Sequence, residues 1–562
     1  MSDSTMIKRQ VMSDEIEQTF AVALEMEQGG NFQQAADLYS AILAIDDRHV
    51  PAYQALSQLQ IELEKPEAAR QTALRGLDLA ESDLRLTVLL AKAEIMMGHY
   101  TAGREYCRKV LKTSPTELTA QRLIINSYEH EQNWIEVNRV ATDMHREHPN
   151  DRQFLSQLAF SGFRLLRDKH NFVPESIIRC QKLMAKAISK SETEQQKDKF
   201  LPCLAETFWY AGEPKKSLEI LDDYLNRYPQ DIEAQFNACF IHRTLYNWDA
   251  FYDAFEKGIE SGARLSYRGD IARWDLSRPK SDIVLVVPEQ GVGDEIEFFH
   301  NLAIVVENAA KVYVACEPRL VPVLNISHPE VIAVPVKRVD HESMAIPEEV
   351  KRDITSWIAG GSLAAIAYQS SGKHHYQASY FSPPNDQVEK WSSHFDELKK
   401  AHNKKHVIGL SWRSGLAGAS RNIHFLSVDD VARLVEAFPE ALFVNLQYDD
   451  CSKEIRKIKK LSGVDIIQLE DIDLRDDFVG TGALIEACDL VITAATAIFR
   501  LTNAIGKECH LFYGWDKDSD HNVPVKLEWE TGFGYYYPPL IENKYPVVDS
   551  IVKHVTGRLS SQ

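Results

Sequence analysis

At 562 residues the chain is long enough for three or four domains of about 150 residues, each able to bury its own core. With 44% apolar and 26% charged residues, and 22 prolines and 26 glycines scattered along its length, it reads as an ordinary globular protein, which excludes a disordered or collagen-like chain. Lys and Arg number 63 against 82 Asp and Glu, a net charge of −19 with no long basic tract, so nucleic acid is a poor partner.

The N-terminal residues 1–16 read as an extension without an apolar segment behind them, and no stretch reaches about 18 uninterrupted apolar residues. Neither secretion nor a membrane span is expected. The cysteines at 107, 180, 203, 239, 316, 451, 488 and 509 lie far apart and form no CxxC pair. They read as reduced core residues of a cytoplasmic protein.

From residue 17 to 262 the pattern is helical and repeats. Phe32, Pro66, Tyr100 and Trp134 stand 34 residues apart and mark the start of the second helix of successive hairpins. Ala35, Ala69, Gly103 and Val137 keep the same phase as a mostly small column where helices approach, and Asp47, Glu81, Pro115 and Pro149 mark repeat ends. Pro214 and Trp248 resume the period of 34, as do Gly212 and Tyr246, after an insertion near residues 168–197. The array resembles tetratricopeptide proteins, with about six repeats. Such hairpins stack into a superhelix whose concave face suits an extended peptide, so protein binding is the expected role. The plainer alternative is an array that only holds the second half or dimerises. A clean Lys/Asn/Arg set for clamping a chaperone carboxylate is missing.

Beyond Gly262 the periodicity changes to short β-branched runs alternating with helical segments, the mark of an α/β fold with parallel sheets. A first Rossmann-like domain is expected over 263–385, with strands at Ile283–Pro288, Lys311–Cys316 and Val331–Val336 and a helix at Glu295–Val306. The stretch from His341 to Lys400 is less regular, and Ser382–Asp386 reads as a linker. A second domain, 386–562, has strands at Val407–Trp412, Leu442–Gln447, Ile466–Leu469, Leu490–Ala494 and His510–Tyr513. Its helices are expected at Val428–Phe438, Lys453–Leu461, Gly482–Ala487 and Ala497–Ile505. Two such domains facing across a cleft form the GT-B architecture, with ligands at the carboxyl ends of the strands.

Three loops carry candidate chemistry. In Glu289-Gln-Gly-Val-Gly-Asp-Glu295, Gly291 and Gly293 allow a tight turn close to a ligand, and Asp294 faces the crevice as a candidate base; its plainer role is to cap the helix, with Glu297 closing a capping box. A dinucleotide fingerprint would need a third glycine, which is absent. In Gly409-Leu-Ser-Trp-Arg-Ser-Gly415, Trp412, Arg413 and Ser414, followed by Arg421, Asn422 and His424, suit a phosphate, unless Arg413 pairs with one of the many carboxylates. In Val491–Arg500, Thr493 and Thr496 precede a helix whose N-terminus favours an anion, or serve as ordinary N-caps. No metal motif is present, since His374 and His375 are merely adjacent, and the P-loop and GxSxG motifs are missing too.

The strings EQGVGDEI (289–296), IGLSWRSG (408–415), FVNLQYDDCSKEI (443–455) and ACDLVITAATAIFRLTNAIGK (487–507) resemble heptosyltransferase-like GT-B glycosyltransferases fused to tetratricopeptide repeats. The resemblance implies an enzyme without a cofactor, using a nucleotide sugar in an inverting, metal-independent transfer in which Asp294 takes the acceptor proton. The donor contacts expected from the three loops are Gly291, Gly293, Trp412, Arg413, Ser414, Arg421, Asn422, Thr493, Thr496 and Arg500. In bacterial fusions of this kind the repeats present a protein acceptor, notably flagellin, to a CMP-linked nonulosonic acid such as pseudaminic or legionaminic acid. Ala495 and Arg500 stand where heptosyltransferases typically carry Asp and His. The more positive pocket suits a sugar bearing a carboxylate. Alternatives from the same residues are an inactive scaffold and a transferase acting on a glycan or lipopolysaccharide.

Overall fold

The computed structural model describes residues 3–168, 174–267, 269–337, 344–372, 379–415, 419–515, 524–526, 532–539, 541 and 543–560. They fall into two compact units, Met1–Leu165 and Leu166–Gln562. Paired helices begin the chain: α1 (Asp3–Gln28), α2 (Phe32–Ile45), α3 (Val50–Glu62), α4 (Pro66–Leu79), α5 (Leu84–Met96), α6 (Tyr100–Thr113), α7 (Leu118–His130), α8 (Trp134–Glu147) and α9 (Arg152–Asp168). The pairing resumes with α10 (Pro174–Lys190), the short α11 (Glu194–Asp198), α12 (Leu201–Tyr210), α13 (Pro214–Arg227), α14 (Ile232–Thr244) and α15 (Trp248–Glu260). The fifteen described helices form the helical repeat array expected from the period, and α2, α4, α6, α8, α13 and α15 each open on a residue that the period marked.

Pro66 and Pro214 open their helices because the first turn needs no N–H there. The small column is buried where the helices meet, with Ala35 and Val137 fully covered. A Cβ at Gly103 would stand 2.5 Å from Ile95 Cγ1. One residue per hairpin turns left-handed, at Gly30, Glu64, Gly98, Gln132, Gly212 and Tyr246. This ends the first helix of each pair. Among the described residues no helix is long and apolar enough to cross a membrane. The eight cysteines are unpaired, and all but the half-buried Cys203 are buried.

The remainder is built on two parallel sheets. The first contains β1 (Ala272–Arg273), β2 (Ile283–Val287), β3 (Lys311–Cys316), β4 (Ile332–Pro335) and β5 (Ser356–Ala359), in the spatial order β1-β5-β2-β3-β4. Its helices are α16 (Val292–Phe299), α17 (Leu302–Val306), α18 (Val321–Ser327), α19 (Glu348–Asp353) and α20 (Gly360–Ser371), and α21 (Asn385–His402) leads to the second sheet. There β6 (His406–Ser411), β7 (Ala441–Asn445), β8 (Ile466–Ile467), β9 (Leu490–Ala494), β10 (Cys509–Gly514), β11 (Val525–Lys526) and β12 (Gly532–Tyr537) lie in the order β11-β12-β10-β9-β6-β7-β8, with only β11 antiparallel. Between the strands run α22 (Ala419–Asn422), α23 (Val428–Glu436), α24 (Ser452–Ser462), α25 (Phe478–Glu486) and α26 (Ala497–Ile505), and α27 (Tyr545–Leu559) follows. From β8 to β12 the second order is 3-2-1-4-5-6 in chain sequence, that of a Rossmann sheet. Both sheets therefore reverse direction, between β2 and β5 and between β6 and β9, and such switch points open crevices at the strand ends. The fold class read from sequence, a helical array followed by two Rossmann-like domains, is the one observed.

Three local expectations are corrected. The helix expected at Glu295–Val306 breaks into α16 and α17 at His300 and Asn301, both buried. The irregular stretch 341–400 holds β5, a central strand of the first sheet, besides α19, α20 and most of α21. Asn385 and Asp386, read as linker, already belong to α21, and the chain is fixed earlier, where the Tyr380 and Phe381 N–H groups donate to Ala504 O at 3.0 and 2.9 Å.

Candidate functional site

The β2 switch point carries the Gly291–Asp294 turn. Gln290 enters it with φ of 60°, a left-handed conformation that costs a non-glycine residue about 1 kcal/mol. Gly291 is the N-cap of α16, and Asp294 is its third helical residue, with its carboxylate accepting the Gly291 N–H at 2.9 Å. Glu297 does not close a capping box. It pairs instead with Arg500 of α26 at 2.7 Å, and both side chains are largely buried. A Cβ on Gly293 would stand 3.3 Å from Ala497 Cα, so the absence of a side chain lets this turn rest on the first turn of α26. The switch-point loops of the two sheets thus meet, with an acid on one side and a helix N-terminus on the other.

Burial and the neighbouring Glu297 carboxylate push the Asp294 carboxyl up from its ordinary value, while the Gly291 N–H, Arg500 and Arg243 pull the other way. Arg243 lies in α14, inside the repeat array, and nothing in the sequence pattern pointed to it. Across the crevice Thr496 is the N-cap of α26, yet its side chain makes no capping bond, and its buried hydroxyl oxygen has no hydrogen-bond partner among the described residues. The first N–H groups of α26, at the positive end of the helix dipole, therefore receive no bond from the Thr496 side chain. Ala495 beside it is exposed.

Other expected site residues stand differently. Trp412 is 1% exposed and belongs to the core beneath the second sheet, so its side chain cannot meet a donor. Arg413 is not left for a phosphate: its Nε lies 3.0 Å from both Glu454 carboxylate oxygens, and its terminal nitrogens reach Glu454 at 2.7 Å and Asp449 at 2.6 Å. That is the carboxylate pairing foreseen as its plainer role. Ser414 stands near the Tyr448 hydroxyl at 3.4 Å. Thr493 is fully buried and donates to Ala494 O, so it is no N-cap. Arg421 and Asn422 are exposed on α22, where their carbonyls accept the His424 and Phe425 N–H groups. His374 and His375 lie outside the described residues. Among the described residues no group of three or more His, Cys, Asp or Glu side chains gathers as a metal site.

Arg413→Ala is expected to leave Glu454 and Asp449 without their cation, which costs about 1–3 kcal/mol. The check is thermal unfolding beside nucleotide titration: a stability loss with unchanged nucleotide affinity fits the ion-paired role, and lost affinity at full stability contradicts it.

Sequence reasoning also missed the contact between the last helical pair and the second sheet. The Trp515 indole N–H, just past β10, donates to Thr244 O of α14 at 3.1 Å, and its ring lies 6.1 Å from that of Tyr246. Tyr513 sits 5.7 Å from Trp515 and stacks on His424 at 3.9 Å and 7°. Burial, aided by Lys544, pushes His424 down to about 3, so it is neutral. Below the Gly291 turn Glu289 is fully buried and bidentate to Arg264, at 2.6 and 2.7 Å, and it also accepts the Gly361 N–H at 2.6 Å. Arg264 reaches on to Phe255 O and Glu256 of α15 and to Ser362, each at 3.0 Å. These bonds join the end of the array to the switch point of the first sheet.

A helical-repeat array joined to two Rossmann-like domains whose switch points meet around an acid is the class of protein that this fold defines. No protein-family model matches the chain. Over 274 residues, 48% of its length, it is 28% identical to Protein FlbA of Caulobacter vibrioides, and the match takes in 45% of that protein, so the chain spans less than half of this curated relative. Among solved structures the chain is similar to the glycosyl transferase family 9 protein of Veillonella parvula, with a TM-score of 0.38 and 11% identity over 51% of this chain and 99% of that one. It is also similar to a tetratricopeptide repeat protein of Parabacteroides merdae, with a TM-score of 0.29 and 14% identity over 38% of this chain and 78% of that one.

Proposed function

We propose that the chain is a protein O-glycosyltransferase, inverting and metal-independent, that moves a sugar from a nucleotide sugar to a Ser or Thr hydroxyl. A CMP-linked nonulosonic acid such as pseudaminic or legionaminic acid is the favoured donor, and a protein such as flagellin, recruited by the repeats over 17–262, is the favoured acceptor. The observation that carries this reading is the contact between the Gly291–Asp294 turn and the first turn of α26, with Glu297 and Arg500 bridging the two. Residues 263–385 supply the acid side and 386–562 the donor side.

In this reading the donor phosphate lies on the first N–H groups of α26 and the Thr496 hydroxyl. The acceptor oxygen attacks the anomeric carbon from the Asp294 side. A new carbon–oxygen bond forms as the bond from that carbon to the phosphate oxygen breaks. Asp294 takes the hydroxyl proton, and the nucleotide leaves with the electron pair, its charge facing the α26 dipole. The raised carboxyl of Asp294 suits a proton acceptor better than an ordinary surface aspartate.

The test is transfer from CMP-linked sugar to purified flagellin in the presence of EDTA, read as a mass increase of the acceptor. Transfer that appears only on adding Mg²⁺ or Mn²⁺ overturns the metal-independent step. A second reading, a scaffold that has lost transfer, is favoured by Ala495 at the position where heptosyltransferases carry an acid. It predicts no mass increase under any condition.

A further inference from the structure

We propose that the groove between α6, α7 and α8 binds a segment of a partner protein that presents a tyrosine next to an acidic residue. The site lies within the first compact unit, and the proposal is independent of the transferase reading.

The repeat itself shows what is missing there. One period of 34 residues earlier, α4, α5 and α6 stand where α6, α7 and α8 stand here. In that earlier seam Tyr106 of α6 packs, beside Leu74 and Leu77 of α4, on the cluster that holds Leu86 and Leu90 of α5. One period on, Leu111 and Ile124 replace Leu77 and Leu90, so the apolar walls persist. The tyrosine does not. Val140 stands at its position, and a groove of about 700 Å³ opens, with Leu111, Ile124, Val140 and Met144 as its apolar lining. That volume falls within the roughly 300–1,000 Å³ of sites that enclose a ligand of several groups. α5 packs directly on α3 and on α7, while α6 and α8 stand further apart, so the groove opens away from the wall that those first helices form.

Two further departures from the repeat give the groove its chemistry. Where α4 has Leu74, α6 has the exposed Arg108, which touches the Tyr128 hydroxyl at 3.5 Å and has no carboxylate in ion-pair range among the described residues. Where α5 has Thr87, whose hydroxyl donates to Asp83 O at 2.7 Å, α7 has Gln121. Gln121 is 4% exposed; its Nε2 donates to Pro115 O at 3.0 Å, and its Oε1 has no hydrogen-bond partner among the described residues. A buried carbonyl left in this way is unfavourable, and an entering O–H group relieves it. The other charges at the groove do not compete for an acid: Arg139 is paired with Glu136 at 2.6 Å, and Glu147 repels one at the end of α8. Arg108 therefore fixes where the acidic residue of the occupant sits. The tyrosine ring takes the place that Tyr106 fills in the earlier seam, with its hydroxyl for Gln121.

The experiment selects peptides from a random displayed library on the full chain, for wild type, Val140→Tyr and Arg108→Glu, and measures the affinity of the enriched peptides for each protein, with thermal unfolding as the folding control. Val140→Tyr restores the residue of the earlier seam, so its midpoint should equal or exceed that of wild type. Wild type is expected to enrich tyrosine with an Asp or Glu within two residues. These peptides should bind Val140→Tyr at least about tenfold more weakly, and Arg108→Glu should lose about tenfold on them and select Lys or Arg in place of the acid. Should Val140→Tyr unfold, Arg108→Glu, at an exposed position, carries the comparison. No enrichment on wild type, or enriched peptides that bind Val140→Tyr as tightly as wild type, overturns the proposal. So does a wild-type dimer that Val140→Tyr dissociates, since a second copy of the chain then fills the groove. The transferase reading stands or falls separately, in the transfer assay.

Discussion

Arg264→Ala is expected to destabilise the second compact unit by about 3–5 kcal/mol, because it leaves the fully buried Glu289 carboxylate with only the Gly361 N–H as partner. The loss should appear as a fall in the denaturant midpoint of the full chain, and an unchanged midpoint would contradict it. Replacing Arg264 by Lys keeps a charge but loses the two parallel bonds to Glu289, so it should recover only part of the loss. The same network decides where the chain can be cut. A fragment that starts at residue 263 lacks Glu256, Phe255 and Thr244, and so opens Arg264 and Glu289 to water and strands the Trp515 N–H. It should aggregate, whereas a fragment that starts at Leu166 should stay soluble and folded.

Asp294→Asn is expected to lower transfer by at least about 10²-fold with little change in folding, the usual scale for removing a general base. Asparagine keeps an oxygen for the Gly291 N–H, so the substitution separates the structural bond from proton transfer. Wild-type turnover by this variant would return Asp294 to a purely structural role. In the wild type, kcat/KM should rise with pH through an ionisation above the ordinary carboxylate range. Stability should run the other way from this group, since a raised carboxyl favours the folded state below its unfolded value and loses that contribution as pH rises through the folded one. A pH profile flat across the acid range in kcat/KM would contradict the assignment.

Much of the fold was legible because its signals are local. Six second helices of the array start on Phe32, Pro66, Tyr100, Trp134, Pro214 and Trp248, where a period of 34 placed them. The strands Lys311–Cys316 and Leu490–Ala494 and the helix Ala497–Ile505 stand where the apolar runs set them. Hidden elements lacked such runs. β5 is four residues, Ser-Trp-Ile-Ala, all buried, so it shows neither alternation nor β-branched length. β12 contains two glycines and three tyrosines, and β1 is two exposed residues.

At the site, the Gly-Val-Gly-Asp turn was visible because its glycines and acid lie side by side in sequence. The partners of Arg413 were not, since Glu454 is 41 residues away and only the adjacency of β6 and β7 brings it near. Arg243 was invisible for a different reason: in the repeat it is one more polar residue at a helix end, and only the folded chain lets its charge act on Asp294.

The bonds from Glu256 through Arg264 to Glu289 bear on how such a chain diversifies. A border that runs through solvent can be recombined freely, while one that runs through a buried ion pair carries every change of neighbour into the chemistry. Exchanging α1–α8 for other helical pairs keeps Arg243, Tyr246 and Arg264 in place. In the reading proposed above, new acceptor preferences are therefore most readily grafted upstream of Leu166, and the helices from α12 to α15 are inherited with the two Rossmann-like domains as a single block.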